Sequence, residues 1–211
     1  MKTKIYKIVI KSALRLHSFS YKLSSFFSNK IEQGLHPKHR LMNYHKFFID
    51  NINPRDTVLD IGCGNGALTF DVAKKAKKVI GIDLDEENIR FAKEMFSRKN
   101  IEYVQGDILE NFPGKKFDVI ILSNVLEHIK NRAKFLKVLK SKADKFLIRV
   151  PMINRDWITL YKKELGLEWM LDRGHFTEYT LESFQKELKK AGFKICSYSV
   201  QFGEIWSVVI K

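Results

Sequence analysis

The segment best suited to hold a ligand is Asp60-Ile61-Gly62-Cys63-Gly64-Asn65-Gly66, three alternating glycines behind an aspartate. Glycine enters backbone conformations closed to other residues, so such a loop turns sharply and lets a ligand approach its peptide groups. The apolar run Thr57–Ile61 precedes it and the helix-like stretch Asn65–Ala76 follows, which makes it a strand-to-helix turn. Gly62, Gly64 and Ala67 also satisfy the G-x-G-x-x-G/A spacing of dinucleotide loops, so the loop by itself leaves a nicotinamide cofactor open. Asp60 points elsewhere. A pyrophosphate wants backbone N–H donors and a helix N-terminus, whereas a carboxylate serves a ligand that carries positive charge. The plainer role for Asp60 is to cap the following turn. Cys63 reads as a small residue that fits the loop.

Further acids follow at strand ends. Val79-Ile80-Gly81-Ile82-Asp83-Leu84 puts Asp83 after a second apolar run, where a carboxylate can accept both hydroxyls of a ribose. Asp83 or Asp85 could instead cap the next helix. Glu102-Tyr103-Val104-Gln105-Gly106-Asp107-Ile108 puts Asp107 after a third run, in reach of an adenine amino group or as an ordinary turn residue. A fourth, β-branched run, Phe117–Leu122, leads into Ser123-Asn124-Val125-Leu126-Glu127-His128.

In combination these segments resemble the successive motifs of class I S-adenosylmethionine (SAM)-dependent methyltransferases, nearest to the small-molecule, type 11/12-like branch with "LEH" after the fourth strand. The resemblance covers about residues 40–211. It implies SAM as cofactor and S-adenosylhomocysteine as product. The residues it places at the cofactor are Asp60, Gly62, Cys63, Gly64, Gly66, Asp83, Leu84, Asp107, Ile108, Ser123 and Asn124. Gly34–Arg40 and Arg149–Thr180 also look similar to methyltransferases found beside genes for sugars and cell-surface glycans. Hence a small-molecule, glycan or lipid-linked acceptor is expected, methylated on oxygen.

An oxygen acceptor profits from a general base. His128, after the fourth strand, is the first candidate, with a plain surface position as its other reading. His175 is the second, in Asp172-Arg173-Gly174-His175-Phe176-Thr177-Glu178-Tyr179. Arg149, Arg155, Trp157, Glu178 and Tyr179 are candidates for the acceptor pocket. His175 and Glu178 could equally anchor their loop through hydrogen bonds. Three alternatives stay open: an RNA methyltransferase, an NAD-dependent oxidoreductase, and a non-catalytic scaffold. Nucleic acid is the weaker partner, because Ser123-Asn124-Val125-Leu126 lacks the D/N-P-P-Y pattern of amino-methylating DNA enzymes and neither cysteine follows proline.

The elements that must position these residues are legible. Strand-like runs at Thr57–Ile61, Lys78–Asp83, Ile101–Gln105, Phe117–Leu122 and Lys145–Val150 alternate with helical stretches at Asn65–Ala76, Glu86–Arg98 and Arg132–Ser141. Thr180 caps a further helix, which Gly192 stops, before a closing pair at Phe193–Val200 and Glu204–Ile210. The rhythm predicts an α/β fold: a Rossmann-like, doubly wound, mostly parallel sheet of seven strands with a closing antiparallel strand and helices on both faces. Residues 51–211 form the SAM-binding domain, with 151–179 as a substrate-side insertion. Residues 1–50 form a basic helical extension.

Charge is uneven. Net charge is +14, and residues 1–50 carry ten Lys or Arg against two acids. Residues 1–31 carry no acid at all. Ile5, Val9, Leu16, Phe19, Leu23 and Phe27 fall on one helical side, which suits a cap over the core, a membrane-surface helix or a transit-like peptide. No apolar run is long enough to span a bilayer, no secretory leader is expected, and two cysteines without C-x-x-C spacing suggest free thiols in a reduced compartment. The expected location is cytoplasmic, or peripheral at the inner membrane surface. His36, His39 and His45 match no ligand spacing, so no metal is expected. Oligomeric state is unspecified.

Overall fold

The computed structural model describes residues 2–32, 35–110, 112 and 116–211; Gly34 of the glycan-type resemblance lies outside them. Seven strands form one sheet: β1 (Thr57–Ile61), β2 (Lys78–Asp83), β3 (Ile101–Gln105), β4 (Phe117–Ser123), β5 (Ala143–Pro151), β6 (Lys194–Gln201) and β7 (Glu204–Ile210). Their order is β3-β2-β1-β4-β5-β7-β6. β7 runs against the other six strands, antiparallel to both β5 and β6, as expected of the closing strand.

Alternation along the strands divides the interior in two. On β4, Val119 and Ile121 face one way and Ile120 and Leu122 the other, all buried. Val119 and Ile121 join a core with α3 (Tyr44–Asp50) and α4 (Ala67–Ala73), through Tyr44, Phe48, Leu68 and Val72. Ile120 and Leu122 meet α6 (Arg132–Lys140) and α8 (Leu181–Lys190), through Phe135, Leu136, Leu139, Phe184 and Leu188. A strand covered on both faces must be continuously apolar, which is why β4 reads that way.

Local chemistry sets the helix starts. α5 (Glu86–Met95) is capped by Asp85, whose carboxylate accepts the Glu87 and Asn88 N–H groups. Asp85, not Asp83, is therefore the cap. Thr180 and Ser183 form a reciprocal capping box at α8. Gly192, at φ +79°, ends that helix as expected.

Two further regions are helical. Residues 151–179, the expected insertion, contain α7 (Trp157–Glu164), capped by Asp156. Its buried residues are Thr159 and Lys162, while Trp157 and Leu160 face outward. An inward apolar stripe, the signal for a helix, is missing there. α1 (Lys2–Ile31) is followed by the short α2 (Lys38–Met42) and buries Leu14 alone. It docks through small and polar groups: Lys162 donates to Ser18 Oγ (2.9 Å), and Lys22 pairs with Glu168 (3.2 Å). No helix among the described residues is long and apolar enough to cross a membrane.

Candidate functional site

The chain leaves β1 toward β2 and β3, then returns to β4 on the other side. This reversal opens a crevice beyond the carboxyl ends of β1 and β4, the place where such sheets hold ligands. The glycine loop forms its floor. Gly62, Gly64 and Gly66 have φ of +67°, +53° and +84°. A Cβ on Gly66 would stand 2.7 Å from Ala92 Cβ and 2.8 Å from Tyr103 Oη, whereas one on Gly64 would meet nothing within 4 Å. Gly66 is thus needed for packing, and Gly64 leaves open space over the main chain.

Asp60 lies at the end of β1 with its side chain buried. Thr69 Oγ1 donates to its Oδ2 at 2.6 Å, and burial, reinforced by Asp83, pushes its pKa up to about 7. Asp83 clasps the loop: its Oδ2 accepts the Gly64 N–H at 2.8 Å and its Oδ1 the Asp85 N–H at 2.9 Å. Four lone-pair sites on a carboxylate leave capacity for further donors. Asp107 accepts the Leu109 N–H at 2.8 Å.

The crevice has two lobes that share Gly62 and Asn124. The larger, about 750 Å³, is lined by Asp83, Leu84, Asp107, Ile108 and His128, among others. The smaller, about 220 Å³, is lined by Asp60, Cys63, Gly64, Ser123, Asn124 and Arg149, together with His39 and Tyr44. Asn124 sits at φ +57°, and its buried Oδ1 has no partner among the described residues. The structure therefore brings the eleven expected cofactor residues but Gly66 to the walls of these two adjoining lobes; Gly66 shapes the loop from behind.

Arg149 and Glu204 form a buried bidentate pair, Nε–Oε2 2.6 Å and Nη2–Oε1 2.7 Å. The guanidinium also stacks on Tyr44, 3.8 Å from the ring centroid. Burial pushes the Tyr44 hydroxyl up to about 12. His39 bonds Tyr44 Oη and His45, and its pKa is lowered to about 4, chiefly by burial.

His128 lines the larger lobe and His175 lies buried behind it, the two rings meeting edge to face 4.6 Å apart. Burial and the neighbouring His175 lower the pKa of His128. His175 Nδ1 is 3.0 Å from Glu178 Oε1, and Glu178 also accepts the Leu171 N–H (2.6 Å) and pairs with Arg155. Glu178 and Arg155 thus anchor a loop and lie behind the histidine. Trp157 is exposed on α7, and Tyr179 is in the core, its ring 5.5 Å from Phe184. Neither of these two lines the crevice.

Sequence reasoning missed Tyr44, Thr69, Glu127 and Glu204. Thr69 and Tyr44 carry no motif of their own. Glu204 becomes visible through the pairing of Pro151 with Glu204 across β5 and β7. Glu127 stands inside the segment already singled out, but its burial is a property of the fold.

The donor set suits SAM. A buried acid, an orphaned buried acceptor at Asn124 and bare main chain at Gly64 fit a ligand with a cationic head and an adenosyl body.

The sequence profile of a methyltransferase domain family matches residues 35–198. The chain is 30% identical over 146 residues to a ribosomal protein L11 methyltransferase of Caldanaerobacter subterraneus, covering 57% of this chain and 47% of that protein. It is 32% identical over 120 residues to a ubiquinone biosynthesis O-methyltransferase of Bradyrhizobium diazoefficiens, covering 54% and 46%. The chain spans about half the length of these curated relatives. Its fold matches magnesium protoporphyrin IX methyltransferase from Synechocystis, crystallised with S-adenosylhomocysteine, with a TM-score of 0.63 at 21% identity, covering 82% of this chain and 83% of that one.

Proposed function

The chain belongs to the class I SAM-dependent methyltransferases, in the methyltransferase domain family, and we propose that it moves the methyl group of SAM to an oxygen of a small-molecule, glycan or lipid-linked acceptor. The observation that carries this reading is the two-lobed crevice, with Asp60, Asp83 and Asp107 at three successive strand ends and His128, backed by His175, on the wall of the larger lobe.

When bound, SAM supplies an electrophilic methyl carbon on a sulfonium. Asp83, still holding the Gly64 N–H, has lone pairs left for the ribose hydroxyls. Asp107 would accept from the adenine amino group. Asp60 and Asn124 Oδ1 would face the ammonium in the smaller lobe, where a buried carboxylate acts through a low dielectric. The Arg149–Glu204 pair holds β5 against β7 in the wall of that lobe. Transfer gains most from alignment of the acceptor with the bond that breaks. His128, whose pKa is lowered by partial desolvation and by His175, can take the acceptor proton, with His175 beside it. Glu178, and Arg155 through it, are positioning residues for His175.

The face of α1 supports a surface-bound acceptor. At about 100° per residue, Ile8, Leu16, Phe19, Leu23 and Phe26 lie on one side of the helix, opposite the docked Leu14 and Ser18. All five are exposed, and Lys4, Arg15 and Lys22 line one edge of the stripe. An outward apolar stripe with a basic edge suits an anionic bilayer surface.

Calorimetric titration with SAM, S-adenosylhomocysteine and NAD tests the core of the proposal. Micromolar binding of both adenosyl compounds, lost in Asp83→Ala and absent for NAD, is expected. NAD binding alone would overturn it, and binding of none of the three would put the scaffold reading in its place.

A further inference from the structure

We propose that Glu127, His128 and His175 form a binding site for one divalent transition-metal cation of the zinc type, beside the crevice.

The first observation is Glu127. It is fully buried, and neither carboxylate oxygen has a hydrogen-bond partner among the described residues. A buried acid without a partner is costly, and such groups are otherwise paired or bound to a metal. The Arg149 guanidinium is committed to Glu204 at 2.6 and 2.7 Å, and that of Arg155 to Glu178. Of the charges that act on Glu127 without a hydrogen bond, Arg149 favours its carboxylate and Glu204 and Glu178 oppose it.

The second observation is the company it keeps. One donor atom each from Glu127, His128 and His175 lies within 4.8 Å of the others, and no other such trio of His, Cys, Asp or Glu occurs among the described residues. Two imidazoles and a carboxylate form an N2O set, which suits zinc and its transition-metal neighbours better than magnesium or calcium. Ligands around zinc stand about 3.3 Å apart, given bonds of about 2.0–2.1 Å, so a modest closure of the three side chains completes the site.

The third observation lies behind the ligands. His175 Nδ1 bonds Glu178 Oε1 at 3.0 Å, which directs the proton to Nδ1 and leaves Nε2 with a lone pair. Glu178 is itself fixed by the Leu171 N–H and by Arg155. A carboxylate behind a histidine in this way orients it for a metal and raises its basicity. His128 lies against Gly174, where an added Cβ would stand 3.2 Å from its Nδ1.

Three protein ligands leave a coordination position open, the pattern of catalytic rather than structural zinc. His128 and Asp172 line the larger lobe, which puts the His128 side of the site on the crevice. An acceptor hydroxyl bound there would lose its proton more readily, and the cation would then take over from His128 as the activating group. This consequence rests on the methyltransferase reading; the binding of the cation does not.

The test uses the full chain, stripped with chelator. Co2+ is titrated and followed by its visible d–d absorption, and Zn2+ by competition with a chromogenic chelator. One equivalent per chain is expected. Glu127→Gln and His175→Asn should each weaken binding at least about 100-fold, and Glu178→Gln about 10–100-fold. Cys196→Ser and His36→Asn should leave it unchanged. Glu127→Gln should also keep its melting temperature, because it removes an unpaired buried acid. Absence of a stoichiometric site, or affinity that survives both Glu127→Gln and His175→Asn, would overturn the proposal. SAM calorimetry on the same proteins separates the two readings: cation binding without SAM binding retires the methyltransferase proposal alone, and the reverse retires the cation site alone.

Discussion

At the scale of single residues, Asp60 makes two demands that oppose each other. Burial holds its carboxyl near a pKa of about 7, against an ordinary value of 3.8. The sign follows from linkage: the folded chain keeps a proton there that the unfolded chain has released, so stability falls as pH rises from about 4 to about 7. Asp60→Asn should therefore melt higher than the parent at pH 8 and equally at pH 4, read by thermal denaturation without ligand. Binding a cationic ligand runs the other way. It favours the carboxylate, so affinity for SAM should weaken below pH 7, by up to about tenfold per unit, and be lost in Asp60→Asn. His128→Asn touches transfer instead. Turnover should drop about 10²–10⁴-fold with SAM affinity unchanged, measured by transfer of labelled methyl beside calorimetry. Stability and function thus disagree at residue 60, a conflict expected where a protein stores strain for its ligand.

At the scale of elements, two glycines of one loop should separate packing from access. Gly66→Ala adds a methyl 2.7 Å from Ala92 Cβ in a left-handed conformation, and should cost about 2–5 kcal/mol in denaturant unfolding. Gly64→Ala meets nothing and should cost about 1–2 kcal/mol, yet it should block SAM. The buried pair between β5 and β7 makes a different kind of join. Arg149→Ala leaves Glu204 uncompensated and should cost about 3–5 kcal/mol, while replacing both partners by apolar residues of similar volume should cost far less. These elements were legible to unequal degrees. β1, β2 and the loop between β1 and α4 were readable because ligand approach and double-sided burial leave marks in residue type. α7 was not, because it turns Trp157 and Leu160 outward. Tyr179 looked like a pocket residue since an aromatic beside charged neighbours suits either place; the parallel bridge of Met152 with Tyr179 carries it into the core. Glu204 was invisible, because a partner 55 residues away is set by sheet register.

At the scale of the whole molecule, α1 stands apart from the two cores. Its apolar side chains contribute little to folding, so Leu16→Ser, Phe19→Ser, Leu23→Ser and Phe26→Ser combined should leave the melting temperature within a degree or two. The same variant should lose sedimentation with anionic vesicles, while binding by the parent should weaken as salt rises. Retained vesicle binding would assign the attachment to another surface. A helix that docks by its small and polar side has a further consequence if its other side rests on lipid. An acceptor sharing that layer is then searched for in two dimensions, at a crowding set by the sheet of lipid rather than by the volume of the cell. Weak intrinsic affinity for the acceptor suffices under those terms. Saturation would follow the number of acceptors per unit area, so that spreading them among inert lipids slows the reaction at constant bulk concentration.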